Sequence, residues 1–493
     1  MDRCLDILRR VLRLNKEGTN LVTTIKCTLL LDTLDGANLG VWIGNINVGV
    51  SGVADDVYLM SDRQSGLQAQ LDIASHYGKI YRIKYGANKT KITVVGSEID
   101  QNYYMDVKPW TMDNDVVKVV IDNEHLGQTV SGYNQEDKNI DLRLEKGRKN
   151  LYSFLGSGFS YKYLLSPVLK LHIFRTFTCP IARSGLSSFS LRSSNLEPLS
   201  LFQRKTLKSI LKLSLTAPTP SIHFLTGELP IEGKVHRDIF SVFYSIWSNP
   251  DTKVYEIVKY LLEHSTENSR TWSAHIRHLS RQYDLEDPLL CLRRDPPSKS
   301  EYKELIATKI TVYYENVLRQ SAMKNEQMKY LNISTLGLRG RHHPALSNMI
   351  TTNDVKLSRH HVKFLAGNYL TYQIRSEQSG GSPQCRICPT ECPETVSHVI
   401  STCSGMAVER ERLLTEFSDL CTKTKNEIIF EEISKDEETL CQFILDPLSL
   451  NLQTRVNIRD PLVPEFYRLS RVYCYIIDKT RLRLLKDLEN NSQ

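Results

Sequence analysis

Apolar and polar positions change period along the chain. Between Asn38 and Met60 the text is β-branched and apolar, punctuated by Gly and Asn, with Val53 and Val57 flanking the pair Asp55-Asp56. That pattern predicts strands joined by tight turns, with a hairpin carrying both carboxylates at its turn. Ser61 to Gln64 fits a capping box, Ser61 as N-cap and Gln64 three residues on. Leu67, Leu71 and Ala74 then recur at helical spacing, and Tyr77 follows one turn later. After Tyr77-Gly78, residues 80–86 predict a strand, Asn88-Lys89-Thr90-Lys91 a basic turn, and Ile92 to Val95 a further strand. Val116 to Val120 predicts a strand running toward His125-Leu126-Gly127.

Beyond residue 133 the period becomes helical. Charged residues over 133–150 predict the start of a solvated helix, and a helix from Pro167 is expected to end near Pro180. Leu196, Leu199, Phe202, Leu207, Ile210 and Leu211 predict another helix, with Arg204, Lys205, Lys208 and Lys212 sharing much of its opposite face. Such a face either tracks a phosphate backbone or is simply solvated. Further helices are expected over 302–319, over 406–417 and, after Pro461 and Pro464, at the end of the chain. The last carries Arg468, Arg471, Lys479, Arg481, Arg483 and Lys486, which suit either a domain cap or a phosphate contact. Residues 8–16 suggest a short amphipathic basic helix.

Length allows two to four domains in 493 residues, and 41% hydrophobic residues suffice for a sizeable core. A formal charge of +7 permits nucleic-acid binding without demanding it. The 11 cysteines are uneven, with Cys385, Cys388, Cys392 and Cys403 clustered, which argues for a local metal knot in a reducing compartment rather than a disulfide scaffold. No 18-residue apolar run appears, and the first residues lack the apolar core of a signal peptide. The expectation is a nuclear or cytoplasmic protein without a membrane partner.

The most specific chemistry is Cys385-x2-Cys388-x9-His398-x4-Cys403. Two thiolates on a tight turn and a His/Cys pair little more than a helical turn apart close a tetrahedron around structural Zn²⁺, with no open position for catalysis. Cys392 competes as a ligand; Cys388 is preferred because C-x2-C is the better chelate. Asp55-Asp56 supplies hard oxygen ligands that suit Mg²⁺, while Asp is also common at turns because it accepts local backbone hydrogen bonds. The pairs Arg339/Arg341 with His342-His343, and Lys356/Arg359 with His360-His361, read as basic clusters on the surface or against nucleic acid.

The order of these motifs resembles the second half of a reverse-transcriptase palm, specifically that of non-LTR (LINE-like) retrotransposons, continuing to a C-terminal CCHC zinc knuckle. Ala54-Asp55-Asp56 matches the family's aromatic-Ala-Asp-Asp motif with Val53 in place of the aromatic. Leu67–Tyr77, Asn88–Lys91 and His125-Leu126-Gly127 match the elements that follow. Phe202 to Lys205, Leu225 to Ile231, Lys363 to Thr371 and the knuckle with Glu394 and Thr395 match the post-palm part.

The resemblance implies an α+β fold: a partial palm over 1–130, a thumb-like helical region over 131–232, a helical linker over 233–350, the knuckle region over 351–420 and a helical tail over 421–493. It implies an RNA-directed DNA polymerase with Asp55 and Asp56 holding Mg²⁺, Lys89 and Lys91 neutralising the triphosphate, and Arg204, Lys205, Lys208 and Lys212 on RNA or DNA. Glu394 is expected to orient a ligand or cap a helix. Two-metal nucleotidyl transfer needs carboxylates from more than one strand. The family's earlier catalytic Asp, its Gly/Pro motif and its fingers find no match before Gly40, with Asp32 the better of two nearby candidates. The chain is therefore expected to be a truncated polymerase, inactive alone and completed by the remainder of the enzyme, or a non-catalytic zinc-containing nucleic-acid-binding remnant.

Overall fold

The structure is a computed structural model that describes residues 28–53, 56–83, 85, 89–96, 110–159, 165–266, 269–334, 336–423, 425, 427–447 and 463–491. It is a mixed α+β chain, dominated by helices and carrying several small sheets. Contacts divide it into two units: residues 1–139, 242–281 and 286–296, and residues 140–241, 282–285 and 297–493. The basic segment over 8–16 lies outside the described residues.

In the first unit, a helix over 28–36 (α1) precedes four short strands: β1 (Trp42–Ile43), β2 (Ile46–Asn47), β3 (Val50–Val53) and β4 (Asp56–Leu59). β3 and β4 pair antiparallel with Val53 opposite Asp56, the hairpin expected from the β-branched, Gly-punctuated text around Asp55-Asp56. α2 (Gln64–Tyr81) follows, but without the expected capping box. Arg63 is the N-cap, and the Ser61 hydroxyl instead closes a local turn on the Arg63 amide at 3.2 Å.

α2 also runs past Gly78 to Tyr81, through the start of the strand expected over 80–86. Gly78 does not end the helix; a Cβ there would lie 2.8 Å from the Tyr85 ring and 2.7 Å from the Ile83 carbonyl. The missing side chain is what lets the returning chain pack directly on the helix.

β5 (Lys91–Ile92) lies parallel to β7 (Asp115–Val119), which pairs antiparallel with β6 (Trp110–Met112). β8 (Asp122–His125) and β9 (Gln128–Ser131) form a hairpin. Leu126 and Gly127 both have positive φ, 49° and 74°, the backbone of a two-residue type I′ turn. The buried faces meet in one core of Leu30, Leu34, Leu71, Ala74, Tyr77, Ile92, Trp110, Met112 and Val117. The Gln68 side-chain amide clamps Thr111 from both sides, donating to its carbonyl at 2.9 Å and accepting from its N–H at 3.0 Å.

The second unit is helical. α3 (Gln135–Phe154) leads into it, and α4 (Pro167–Ile173) continues through a π-turn over 174–178 to Arg183 rather than stopping near Pro180. α5 (Ser193–Leu211), α6 (Thr219–Thr226), α7 (Ile231–Trp247) and α8 (Lys253–His264) follow. α9 (Trp272–Gln282), α10 (Lys299–Met323), α11 (Thr352–Leu365) and α12 (Tyr372–Ser379) come next. α13 (Ala407–Lys423), α14 (Glu427–Ile433), α15 (Glu437–Leu445) and α16 (Val463–Asn491) end the chain. Of these, α8 lies wholly in the first unit, and α7 and α9 contribute residues to both.

α16 packs along α11 and α13, burying Phe466, Tyr473, Cys474 and Ile477. Several of its polar side chains are used inside the protein. Tyr467 donates to Asp446 at 2.6 Å, Arg471 to the Ser347 carbonyl at 3.0 Å, and Tyr473 to the Ile400 carbonyl at 2.7 Å. Asp478 accepts from His360 at 2.6 Å and from Tyr369 at 2.9 Å. Among the described residues no helix is long and apolar enough to cross a membrane.

Candidate metal centre

The cysteine segment is built on a narrow ribbon. Gln384 bridges Pro393, the Cys385 amide donates to the Cys392 carbonyl at 2.9 Å, and the Glu394 amide donates to the Pro383 carbonyl at 2.8 Å. The C-x2-C turn sits at the end of that ribbon. His398 then opens a helical turn over 398–402, and the Thr395 hydroxyl accepts its N–H at 2.9 Å, fixing where the turn begins. Cys403 follows directly, its amide bonded to the His398 carbonyl at 2.8 Å.

Four donors converge: Cys385, Cys388, His398 and Cys403, all buried, with ligand atoms within 4.8 Å of one another. Cys385 Sγ and Cys403 Sγ are 3.9 Å apart, and Cys388 Sγ is 3.5 Å from His398 Nε2. A tetrahedron with Zn–S near 2.3 Å and Zn–N near 2.0–2.1 Å has sulfur–sulfur edges of about 3.8 Å and sulfur–nitrogen edges of about 3.6 Å. Both measured edges match, so the residues present fit a closed, four-coordinate metal site.

Electrostatics point the same way. The Cys385 thiol is held well below its usual value, first by its hydrogen bond with the Cys403 thiol and further by His398 and the Cys388 and Ile387 amides. Cys403 is pushed up by the same sulfur–sulfur bond and by burial. A thiol held low at Cys385 suits a thiolate ligand to a cation. Behind the histidine, Nδ1 lies 3.2 Å from the Thr402 hydroxyl, which lies 3.3 Å from Glu437 Oε1. This places Nε2 toward the sulfurs and a carboxylate at the far end of the chain.

Cys392 is less buried and stands outside the four-donor cluster, with its sulfur 3.9 Å from Cys388 Sγ and 3.4 Å from His398 Nδ1. Glu394 is not at the metal position. Its carboxylate is fully buried against Arg481 and accepts the Tyr372 amide at 2.7 Å, at the first position of α12. Sequence reasoning placed it at a helix start or behind a ligand but missed Arg481, whose partner lies 87 residues away.

The other sequence-derived candidates are scattered. Asp55 lies outside the described residues. Asp56 opens β4, exposed, and belongs to no metal-competent cluster among the described residues. Asp32 is exposed on α1, a helix rather than a strand. Lys89 and Lys91 are exposed, the latter beside Lys118 across β5 and β7.

On α5, Arg204 pairs with Glu197 at 2.6 Å, Lys208 donates to the Leu215 carbonyl at 2.6 Å, and Lys205 is exposed. Lys212 caps the helix in a left-handed conformation (φ 60°), and its ammonium is disfavoured first by burial and then by Arg359. The histidine pair at 360–361 is not a surface feature. His361 is fully buried, donating from Nε2 to the Leu445 carbonyl at 2.6 Å, and His360 is paired with Asp478. His343 is likewise buried, facing Asp446.

No protein-family model matches the chain, and no curated protein matches it either.

Proposed function

We propose that the chain is the zinc-organised, nucleic-acid-binding C-terminal portion of a non-LTR retrotransposon reverse transcriptase, acting alone as a binding module rather than as a polymerase. The observation that carries this reading is the closed Cys385/Cys388/His398/Cys403 cluster. Four buried donors leave no position for a substrate, so a zinc ion there organises a fold instead of performing chemistry. The knuckle is tied to the terminal helix by Glu394–Arg481 and Tyr473–Ile400, which makes it part of the unit's frame. Exposed Lys205 on α5, with the chain's net positive charge, supplies phosphate contacts to RNA or DNA.

The second reading is a polymerase completed by residues from outside this chain. The β3–β4 hairpin around Asp55-Asp56, followed by α2, favours it. In that setting Asp55 and Asp56 hold Mg²⁺, which would supply charge stabilisation at the phosphates, while Lys89 and Lys91 bind the triphosphate. Primer extension on an RNA template separates the two. The zinc-loaded chain with Mg²⁺ and deoxynucleotides should bind template–primer without extending it. Extension abolished by Asp55→Asn/Asp56→Asn would establish the polymerase reading instead.

A further inference from the structure

Two motifs that the sequence singled out without assigning chemistry come together in the second unit. Gly227 ends α6 at φ +66°, and a Cβ there would lie 2.1 Å from the Arg341 carbonyl, so the two segments touch backbone to backbone. The Gly340 amide donates to the Gly227 carbonyl at 2.9 Å. Beside this junction is an open cavity of about 360 Å³, within the about 300–1,000 Å³ range of ligand pockets.

Its charged lining is Arg175, Lys234, Arg237 and Arg339 against Glu228 and Glu304. Four cations face two carboxylates. Glu228 is buried and already shared between Arg175 and Lys234. Glu304 reaches Arg339 only at 3.4 Å, with both side chains largely exposed. Arg237 lines the cavity and makes no carboxylate hydrogen bond among the described residues. One terminal nitrogen is spent on the Ala307 carbonyl at 3.0 Å and on Thr311, and its Nε is buried away from solvent with no acceptor among the described residues. Burial, then the neighbouring Arg339 and Arg183, disfavour its charge. A concave site that gathers more guanidinium and ammonium charge than its two carboxylates balance is chemically suited to an oxyanion, and guanidinium forks match phosphate best.

We infer that this cavity binds a phosphate group, with Arg237 and Arg339 as its principal ligands. The phosphate source favoured is the backbone of a nucleic-acid strand, in which case the inference rests on the binding function proposed above. A free phosphate or nucleotide shares the chemistry.

The test uses the full zinc-loaded chain with two probes: pyrophosphate by calorimetry, and a labelled single-stranded RNA oligonucleotide by fluorescence anisotropy over a salt series. Arg339→Ala, at an exposed position, and Arg237→Met, which keeps the buried alkyl stem, should each weaken pyrophosphate about tenfold or more. Each should also lower the salt slope of RNA binding by about 0.7. Lys149→Ala, on α3 and paired with Glu145, should change neither. Pyrophosphate binding that responds to Arg339→Ala, with no RNA binding, would keep the pocket as a free-phosphate site and reject the nucleic-acid function. RNA binding unchanged by Arg339→Ala and not competed by pyrophosphate would reject the pocket and keep the function. Equal effects from Lys149→Ala would reduce the pocket to nonspecific charge and overturn it. If Arg237→Met fails to fold, Arg339→Ala alone decides.

Discussion

Glu394 and Arg481 form a bidentate pair inside the protein, Nε to Oε1 at 2.9 Å and Nη2 to Oε2 at 2.6 Å, with neither side chain more than 3% exposed. Burial works against the Arg481 charge, yet the Glu394 hydrogen bonds and the carboxylate's charge more than offset it and hold the guanidinium above its ordinary value. Tyr369 and Tyr372 present their rings to the same guanidinium at 5.5 and 5.7 Å. The pair joins the residue following the knuckle's ribbon to the terminal helix, and Glu394 also caps α12.

Glu394→Ala should therefore destabilise the zinc-loaded chain by about 3–5 kcal/mol, because it strands a buried charge. Replacing both partners by Met removes the charge as well as its counter-ion and should cost clearly less than the single change. Urea unfolding of the three proteins measures this. A double variant no more stable than Glu394→Ala would show that the pair's geometry, and not the unpaired charge, carries the cost.

The cluster should bind one zinc per chain. Cys385→Ser, Cys388→Ser, Cys403→Ser and His398→Asn should each lose it, while Cys392→Ser should keep it. Metal content after dialysis, and the absorption of the cobalt-substituted chain, read this directly. Loss of the metal from Cys392→Ser would move that sulfur into the ligand set.

Thr402 stands between the His398 ring and Glu437. Removing its hydroxyl by Thr402→Val frees Nδ1 from its orienting partner. Zinc affinity, measured by competition with a chelator, should fall about tenfold to a hundredfold. An unchanged affinity would mean that the ring is held by packing or by Cys392 Sγ, 3.4 Å from Nδ1, rather than by Thr402.

Local signals were legible in the sequence where the governing contacts are local. The β-branched, Gly- and Asn-punctuated text up to Met60 predicted the β3–β4 hairpin, and the spacing of four metal donors predicted a cluster that the fold does bring together. Leu71, Ala74 and Tyr77 were recognised as one helix face and are indeed core. The end of that helix was misread because Gly78 looks like a stop, whereas its role is to admit Tyr85, a tertiary contact. The 360–361 histidines were read as a surface or nucleic-acid contact, and Arg481 of α16 as part of a domain cap or a phosphate contact. Their partners, Asp478 and Glu394, lie about a hundred positions away, and nothing in the local text marks such pairs. The same holds for Arg237, an ordinary helix arginine until α10 is laid beside it.

Acid should weaken the second unit through its buried histidines. His361 is neutral in the folded chain: burial, then the nearby Arg471 and His343, pull its pKa to about 4 despite its bond to the Leu445 carbonyl and the proximity of Asp446. His223, buried with Nδ1 donating to the Glu228 carbonyl, is lowered to about 4 in the same way, first by burial. In the unfolded chain both return to about 6.5. Between these values the unfolded state binds more protons, so stability rises with pH. It is fully present above about pH 6.5 and is lost as pH falls toward 4, with each histidine giving up about 2 kcal/mol by pH 5. Denaturant midpoints from pH 7.5 to 5, in zinc-buffered solution, should therefore fall less steeply for His361→Gln than for the parent chain. Glutamine keeps an N–H for Leu445 and does not titrate. Protonation of the metal ligands affects both proteins equally and drops out of the difference. Parallel curves would show that His361 is not a source of the acid sensitivity.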